Sequence, residues 1–148
     1  MQIAAEKIFY LKLGKGDATR KLYMREGFSG AERLLVDPLK GVAKREQFSI
    51  DYFRASPNGM HVAYGISVGG NEECVLRVLE TAKGTDLGVA IVGARYGEAV
   101  SWSPDGKSFF TISCLRLKAA SWAMSTASPT AMCWERMRSV TRRCLDVG

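Results

Sequence analysis

The first 113 residues alternate short apolar or β-branched runs with clusters of turn-forming residues. KIFYLKL alternates apolar and polar positions, GKGDAT is a turn cluster, and KLYMREG has the composition of a return strand. The runs AERLLVDP, FSIDYFRAS, HVAYGIS, EECVLRVLE and VAIVGA follow in the same manner. VLRVLE could form one and a half turns of helix, but it is short and lies between β-type runs. The pattern predicts an all-β fold with no convincing helix.

One self-similarity organises these strands. FRASPNGMHVAYGIS at 53–67 and VSWSPDGKSFFTIS at 100–113 share an apolar strand end, Ser-Pro, Asn or Asp, Gly and an aromatic return strand, spaced 47 residues apart. Proline presets φ at the second turn position, Asn or Asp tolerates the left-handed region, and glycine takes positive φ. Two unrelated hairpins could share this turn by chance, but the flanking strands match as well. A four-strand unit repeating every ~40–50 residues is typical of a β-propeller blade.

These segments, with LLVDP at 34–38 and AYGIS at 63–67, resemble the N-terminal β-propeller of the prolyl oligopeptidases. The resemblance extends from about Lys7 to Ser113. It implies a seven-bladed propeller that covers an α/β-hydrolase domain with a buried Ser-Asp-His site. It also implies a parent enzyme that cleaves short peptides after proline, with the propeller acting as a size filter. On that alignment the chain contains the end of blade one, all of blade two and the first hairpin of blade three.

Gly65-Ile66-Ser67-Val68-Gly69 fits the G-x-S-x-G pattern of a hydrolase nucleophile elbow. That elbow requires a strand that meets a helix at a strained turn, and its triad follows the order Ser, Asp or Glu, His. Here the residues that follow have the pattern of another strand, and the single histidine, His61, precedes Ser67. We therefore interpret this segment as a propeller hairpin rather than as a catalytic serine.

The other candidate residues have structural interpretations. His61 lacks a second ligand at metal spacing, GKGDATR lacks the P-loop pattern, and adjacent Glu72 and Glu73 point to opposite faces of a strand. Cys74 is expected to be a small buried hydrophobe. We predict no catalytic, cofactor-binding or metal-binding residue in this chain. Six aromatic residues are expected to pack between blades: Tyr52, Phe53, Tyr64, Trp102, Phe109 and Phe110.

The net charge of +6 is concentrated in the last quarter of the chain. Residues 1–114 carry 15 Lys/Arg and 13 Asp/Glu, whereas residues 115–148 carry 6 and 2. The tail shows neither β alternation nor a helical stripe. Read one base out of frame with allowed codons, residues 121–148 can spell LGDEHRQPYRDVLGEDAERDQAVFGRG, which resembles the family's next propeller segment. The predicted organisation is a partial propeller at 1–113 and an irregular basic tail at 114–148 that arises from a frameshift near Cys114.

The leading hypothesis is a truncated, non-catalytic propeller fragment that lacks the hydrolase domain and is inactive alone, with peptides as ligands of the parent enzyme. We expect no cofactor, no nucleic-acid partner and no membrane span, because no apolar run reaches ~20 residues. The absence of a signal peptide favours a cytoplasmic location. One alternative is a propeller-like binding module that closes its ring by oligomerisation. Another is a nucleic-acid binder that acts through the basic tail.

Overall fold

The computed structural model describes residues 1–40, 47–68, 74–94 and 100–111, and the backbone of 143–146. These residues form three antiparallel sheets and no helix, which confirms the predicted all-β partial propeller. The first sheet contains β1 (Gln2–Ala4), β2 (Lys7–Lys12), β3 (Lys21–Glu26) and β4 (Arg33–Val36). The second contains β5 (Phe48–Ala55), β6 (His61–Val68), β7 (Cys74–Glu80) and β8 (Thr85–Val92). The third contains β9 (Ser101–Trp102), β10 (Ser108–Thr111) and β11 (Arg143–Asp146).

The first and second sheets are simple meanders in which each strand pairs with the next in sequence. The segment EECVLRVLE, whose central part could have been helical, supplies β7, which pairs with both β6 and β8. In the third sheet β10 is central and pairs with β9 and β11. The strand β11 lies in the tail that we expected to be irregular. Its four residues carry no alternation signal, so only pairing with β10 identifies it.

The hairpin between β1 and β2 adds a strand that sequence analysis did not find. Its two-residue turn consists of Ala5 and Glu6, which adopt φ angles of 45° and 64°. A turn with positive φ at both central positions normally carries Asn-Gly or a similar pair, which is the signal that reveals such hairpins in sequences. Because Ala-Glu gives no such signal, the first sheet has four strands where the alternation pattern indicated three.

The core consists of two apolar layers, one on each side of the second sheet. The first layer lies between the first and second sheets and includes Phe9, Leu22, Phe53 and Val62. The second layer lies between the second and third sheets. It contains Ala63, Leu76, Val78, Ala94, Val100 and Phe109. The sheets therefore stack face to face like consecutive propeller blades, with the second sheet buried on both faces.

The aspartate of LLVDP anchors a small charge network in the first sheet. Lys21 Nζ lies 2.9 Å from Asp17 Oδ1 and 3.0 Å from Asp37 Oδ2. Asp37 Oδ1 also accepts a hydrogen bond from the Leu39 backbone N–H at 3.0 Å. The hydrogen bond from Lys21 lowers the pKa of the Asp17 carboxyl group. Hydrogen bonds from Lys21 to the two aspartates raise the pKa of the lysine, and the bond to Asp17 has a larger effect than the bond to Asp37.

Replacing Glu6 with glycine should stabilise the chain, because glycine adopts positive φ without the clash that a Cβ atom causes. We expect Glu6→Gly to raise the free energy of unfolding by about 1 kcal/mol. Glu26→Gly, at an exposed position within β3, should instead lower it by roughly 0.5–1 kcal/mol. Urea titrations followed by circular dichroism measure both variants. A Glu6→Gly chain less stable than the parent would contradict the positive φ at this position.

Replacing Lys21 with methionine should make the free energy of unfolding less dependent on pH under acidic conditions. Because the Asp17 pKa is lowered in the folded chain, its contribution is present above the unfolded pKa and is lost as pH falls through the folded pKa. The Lys21 contribution is lost only as pH rises through its own raised pKa. Between about pH 5 and about pH 2, Lys21→Met should therefore lose less stability than the parent chain. The control is Lys15→Met at an exposed turn position; the idea fails if both variants follow the same profile.

Candidate functional site

The serine of the G-x-S-x-G segment does not lie at a nucleophile elbow. Ser67 is a residue of β6 and pairs across the ladder with Cys74 of β7, so the chain continues from strand to strand. The Ser67 hydroxyl donates to Asp51 Oδ1 at 2.9 Å and lies 3.2 Å from Ser49 Oγ. His61 begins the same strand, and six residues of extended chain separate the two side chains by about 20 Å. Ser67 and His61 are therefore too far apart to form a nucleophile and its base.

His61 lies where the sequence analysis placed it, beside the Ser-Pro-Asn-Gly turn and partly buried. Its ring stacks on Trp102 of the third sheet, with a centroid distance of 6.1 Å and an interplanar angle of 16°. The Trp102 indole N–H donates to the Arg54 carbonyl of the second sheet at 3.1 Å. Histidine and tryptophan thus belong to the contact between neighbouring sheets.

The two repeated turns have the same hydrogen bonds. Gly59 N–H donates to Ser56 O at 2.8 Å, and Gly106 N–H donates to Ser103 O at 2.9 Å. Both glycines have positive φ, 64° and 69°. The Asn58 side chain accepts from the Met60 N–H, as Asp105 accepts from the Lys107 N–H, each at 3.0 Å. The predicted turn chemistry of the 47-residue repeat is therefore present twice.

The two turns also touch each other. Asn58 Nδ2 donates to the Asp105 carbonyl oxygen at 2.7 Å. A Cβ atom on Gly106 would lie 2.5 Å from Asn58 Nδ2, so only glycine fits against this side chain. On the other side, Lys7 Nζ donates to the Gly59 carbonyl oxygen at 3.2 Å. The first hairpins of the three sheets are thereby linked in sequence order along one rim. We call the bond between Asn58 and Asp105 the rim link.

The buried tyrosines of the second sheet are held neutral. Burial raises the pKa of Tyr64 to about 12, and the nearby Asp86 carboxylate adds to this effect. Burial likewise raises the pKa of Tyr52, with a smaller contribution from Cys74. The Tyr52 hydroxyl donates to the Ala94 carbonyl oxygen. Neither phenol is a candidate general base, because a base needs a pKa near neutrality.

A tight contact beside Cys74 explains one glycine of the motif. Cys74 is 3% exposed, as expected of a small buried hydrophobe. A Cβ atom on Gly65 would lie 2.3 Å from the Tyr52 ring and 2.7 Å from the Cys74 sulfur. The first glycine of G-x-S-x-G therefore makes room for the Tyr52 ring rather than for a catalytic turn. Glu72 and Glu73 lie outside the described residues.

The aromatic residues largely pack between sheets as predicted. Phe53 and Tyr64 belong to the first apolar layer, while Tyr52, Trp102 and Phe109 belong to the second. Phe110 is the exception, since its side chain is 50% exposed. Phe109 and Phe110 are adjacent in β10, so they point to opposite faces, and only Phe109 faces the second sheet.

The first sheet presents a partly apolar face that points away from the second sheet. We call it the outer face; it includes the cross-strand pairs Ile3–Ile8 and Tyr23–Leu34. Ile3 and Leu34 are 60% and 45% exposed. At the edge of this face lies an open groove of about 620 Å³. Its lining includes Ile3, Glu6, Lys7, Ile8, Glu26 and Phe28.

The outer face corresponds to faces that are buried elsewhere in the chain. Ile8 is the second residue of its return strand and pairs with Ile3. Val62 and Phe109 hold the same position in the other two sheets, where they pair with Ala55 and Trp102. Val62 and Phe109 are fully buried against the preceding sheet. Sequence analysis missed both this face and the rim link, because each depends on how separate hairpins stack. The repeat spacing was the signal available for the rim link.

Within the described ranges, no group of three or more His, Cys, Asp or Glu side chains is arranged to hold a metal ion. None of the described segments forms a helix that is long and apolar enough to cross a membrane. What the described residues offer is therefore packing surface and hydrogen-bonded turns.

Comparison with solved structures identifies prolyl-specific peptidases. The first structure is one of two prolyl endopeptidases that were studied for the role of inter-domain dynamics in catalysis and specificity. It shares 21% sequence identity with this chain at a TM-score of 0.72, and the match covers 98% of this chain and 21% of that chain. Prolyl oligopeptidase B from Galerina marginata, bound to a hydrolysis and macrocyclization substrate, shares 15% identity and a TM-score of 0.61, over 81% of this chain and 19% of that chain. At these identities the likeness establishes the fold. The chain spans about a fifth of the length of these structures.

Comparison of the sequence with family models gives a match over most of the chain. No curated protein matches the sequence. The model of the prolyl oligopeptidase N-terminal β-propeller domain matches residues 3–122. This range contains the first sheet from Ile3 onward, the second sheet and the β9–β10 hairpin of the third. The chain belongs to the family of prolyl oligopeptidase N-terminal β-propeller domains.

Proposed function

We propose that this chain is a non-catalytic propeller segment of a prolyl-oligopeptidase-type serine endopeptidase. The parent enzyme would hydrolyse short peptides after proline on an α/β-hydrolase domain, and the propeller would limit access to that site by substrate size. The observation that carries the proposal is the family match over residues 3–122, together with three stacked sheets, two of which carry the repeated turn. The position of Ser67 within the strand β6 favours a structural role for this serine rather than a catalytic one.

The outer face supports the gating part of the proposal. Its equivalents in the second and third sheets are covered by a neighbouring sheet, whereas two of its own apolar residues, Ile3 and Leu34, are exposed although Ile8 is buried. A further blade of the parent propeller would cover it and continue the ring. A ring of blades surrounds a central channel, and a channel of fixed width excludes large substrates. A self-closing binding module is less favoured, because the matching family model is that of the prolyl oligopeptidase N-terminal propeller.

We also propose the division of the chain into a propeller at 1–113 and a frameshifted tail at 114–148. The tail up to residue 142 lies outside the described residues, and the family match ends at residue 122. The charge and cysteine distribution supports the proposal, since three of the four cysteines fall at or after residue 114. The predicted cytoplasmic location stays a prediction.

Sequencing the DNA across codons 105–120 and downstream should reveal an inserted or missing base near codon 114. The corrected frame should continue through further propeller repeats into an α/β-hydrolase domain. An uninterrupted frame, with related genes that encode the same tail, would exclude the frameshift. A corrected frame without a hydrolase domain would count against the parent enzyme.

The purified chain should not hydrolyse chromogenic peptides that contain proline. The expected rate equals that of buffer alone, because Ser67 bonds to Asp51 and has no histidine within reach, and the described residues contain no triad. Ser67→Ala is the matched control, and it should give the same baseline. The proposal is wrong if the unsubstituted chain hydrolyses the substrate and Ser67→Ala abolishes that activity.

A further inference from the structure

The rim link depends on a residue that is chemically labile. Asn58 is followed by Gly59, and glycine has no Cβ atom to hinder approach of its backbone nitrogen to the preceding side chain. In such a pair the Gly59 nitrogen can attack Asn58 Cγ. Asn71, the other asparagine of the chain, is followed by Glu72, whose side chain hinders this approach.

The reaction needs only water. As the bond from the Gly59 nitrogen to Asn58 Cγ forms, the bond from Cγ to Nδ2 breaks, and ammonia leaves with the proton lost by the Gly59 nitrogen. The product is a five-membered succinimide. Water then opens either carbonyl of the ring to give aspartate or isoaspartate. Overall one water is consumed and one ammonia is released, with no oxidant or reductant.

In the folded turn every reacting group is engaged. The Gly59 N–H donates to Ser56 O at 2.8 Å, which directs the nitrogen away from the side chain. Asn58 Oδ1 lies 2.7 Å from Ser56 Oγ and accepts from the Met60 N–H at 3.0 Å. Asn58 Nδ2, the leaving group, donates to Asp105 O at 2.7 Å. The turn must open before Gly59 can attack, so the native state should slow the reaction.

The equivalent turn shows what the product would do. Asp105 occupies the same turn position and makes the same local bonds, from the Lys107 N–H and the Ser103 hydroxyl. An aspartate at 58 would therefore preserve the turn. It would, however, replace the Nδ2 donor with a carboxylate oxygen facing the Asp105 carbonyl oxygen, two acceptors without a proton between them. Isoaspartate would in addition lengthen the backbone within the turn.

We propose that Asn58 is a deamidation site that the folded turn protects, and that its conversion breaks the rim link between the second and third sheets. The modification is self-catalysed and hydrolytic. It converts a hydrogen bond between neighbouring blades into a repulsive contact, so chemical ageing at one residue weakens the attachment of one blade to the next. The inference rests on the turn geometry and is independent of the proposed peptidase parentage.

To measure the rate of deamidation at residue 58, the full chain is incubated at mildly alkaline pH with and without concentrated urea. The products are then followed by peptide mapping with mass spectrometry. In urea, residue 58 should gain about one dalton and form isoaspartate, as an amide NH₂ becomes a hydroxyl, while Asn71 changes far more slowly. Without urea the rate at residue 58 should fall about tenfold or more, which corresponds to an opening free energy of at least about 1.4 kcal/mol. An unreactive residue 58 in urea, or equal rates in both conditions, overturns the proposal.

The effect on the rim link is measured with two matched variants in freshly prepared chain. Asn58→Asp should unfold at a lower urea concentration than the parent chain, because it loses the donor to Asp105 O. Asp105→Asn keeps the turn and leaves the backbone carbonyl of the link unchanged, so its midpoint should fall less than that of Asn58→Asp, by only the loss of the charged hydrogen bonds of the Asp105 carboxylate. It also creates a second Asn-Gly pair, which should deamidate in urea. If Asn58→Asp and the unsubstituted chain have equal urea midpoints, the proposal that deamidation breaks the rim link is overturned.

Discussion

The burial of sheet faces against neighbouring sheets is the interaction on which the rest of the structure depends. A single antiparallel sheet of four short strands has too little apolar surface to be stable unless another layer covers it. In β6 the adjacent residues Val62 and Ala63 point to opposite faces, and both are fully buried. The second sheet is therefore covered on both sides, and the first and third sheets supply the covering layers. Each blade completes its core only through the next.

This dependence explains why the turns matter more than their exposed position suggests. The repeated Ser-Pro-Asn/Asp-Gly turns lie at the same rim of the second and third sheets, and the rim link holds them at hydrogen-bond distance. Gly106 lies against Asn58 with no space for a Cβ atom, so the two turns are shaped to each other. The 47-residue spacing thus reflects more than a shared local turn, because it sets the positions at which consecutive sheets make contact.

Sequence analysis identified the features that depend on local chemistry. The repeated Ser-Pro-x-Gly turns, the alternation of KIFYLKL and the inter-sheet aromatic residues all predicted what the structure contains. It missed the hairpin at Ala5 and Glu6, where the backbone adopts positive φ without glycine or asparagine. It missed β11, which four residues cannot signal, and it placed Phe110 between blades although that side chain is half exposed. The turn at Ala5 and Glu6 carries no turn signal, and the pairing of β11 and the exposure of Phe110 depend on how strands and sheets are arranged, which periodicity along one strand does not contain.

The Ser67 segment illustrates how much a short motif depends on its backbone context. The five residues satisfy G-x-S-x-G, yet the first glycine serves to admit the Tyr52 ring and the serine bonds to Asp51. A nucleophile requires a base within reach, and here the histidine of the chain lies at the far end of the same strand, stacked on Trp102. His61 thus contributes to the contact between two sheets, and Ser67 to hydrogen bonds within the second sheet. Such an arrangement fits the proposed non-catalytic role, in which stacked sheets would shape a channel while the chemistry is carried elsewhere.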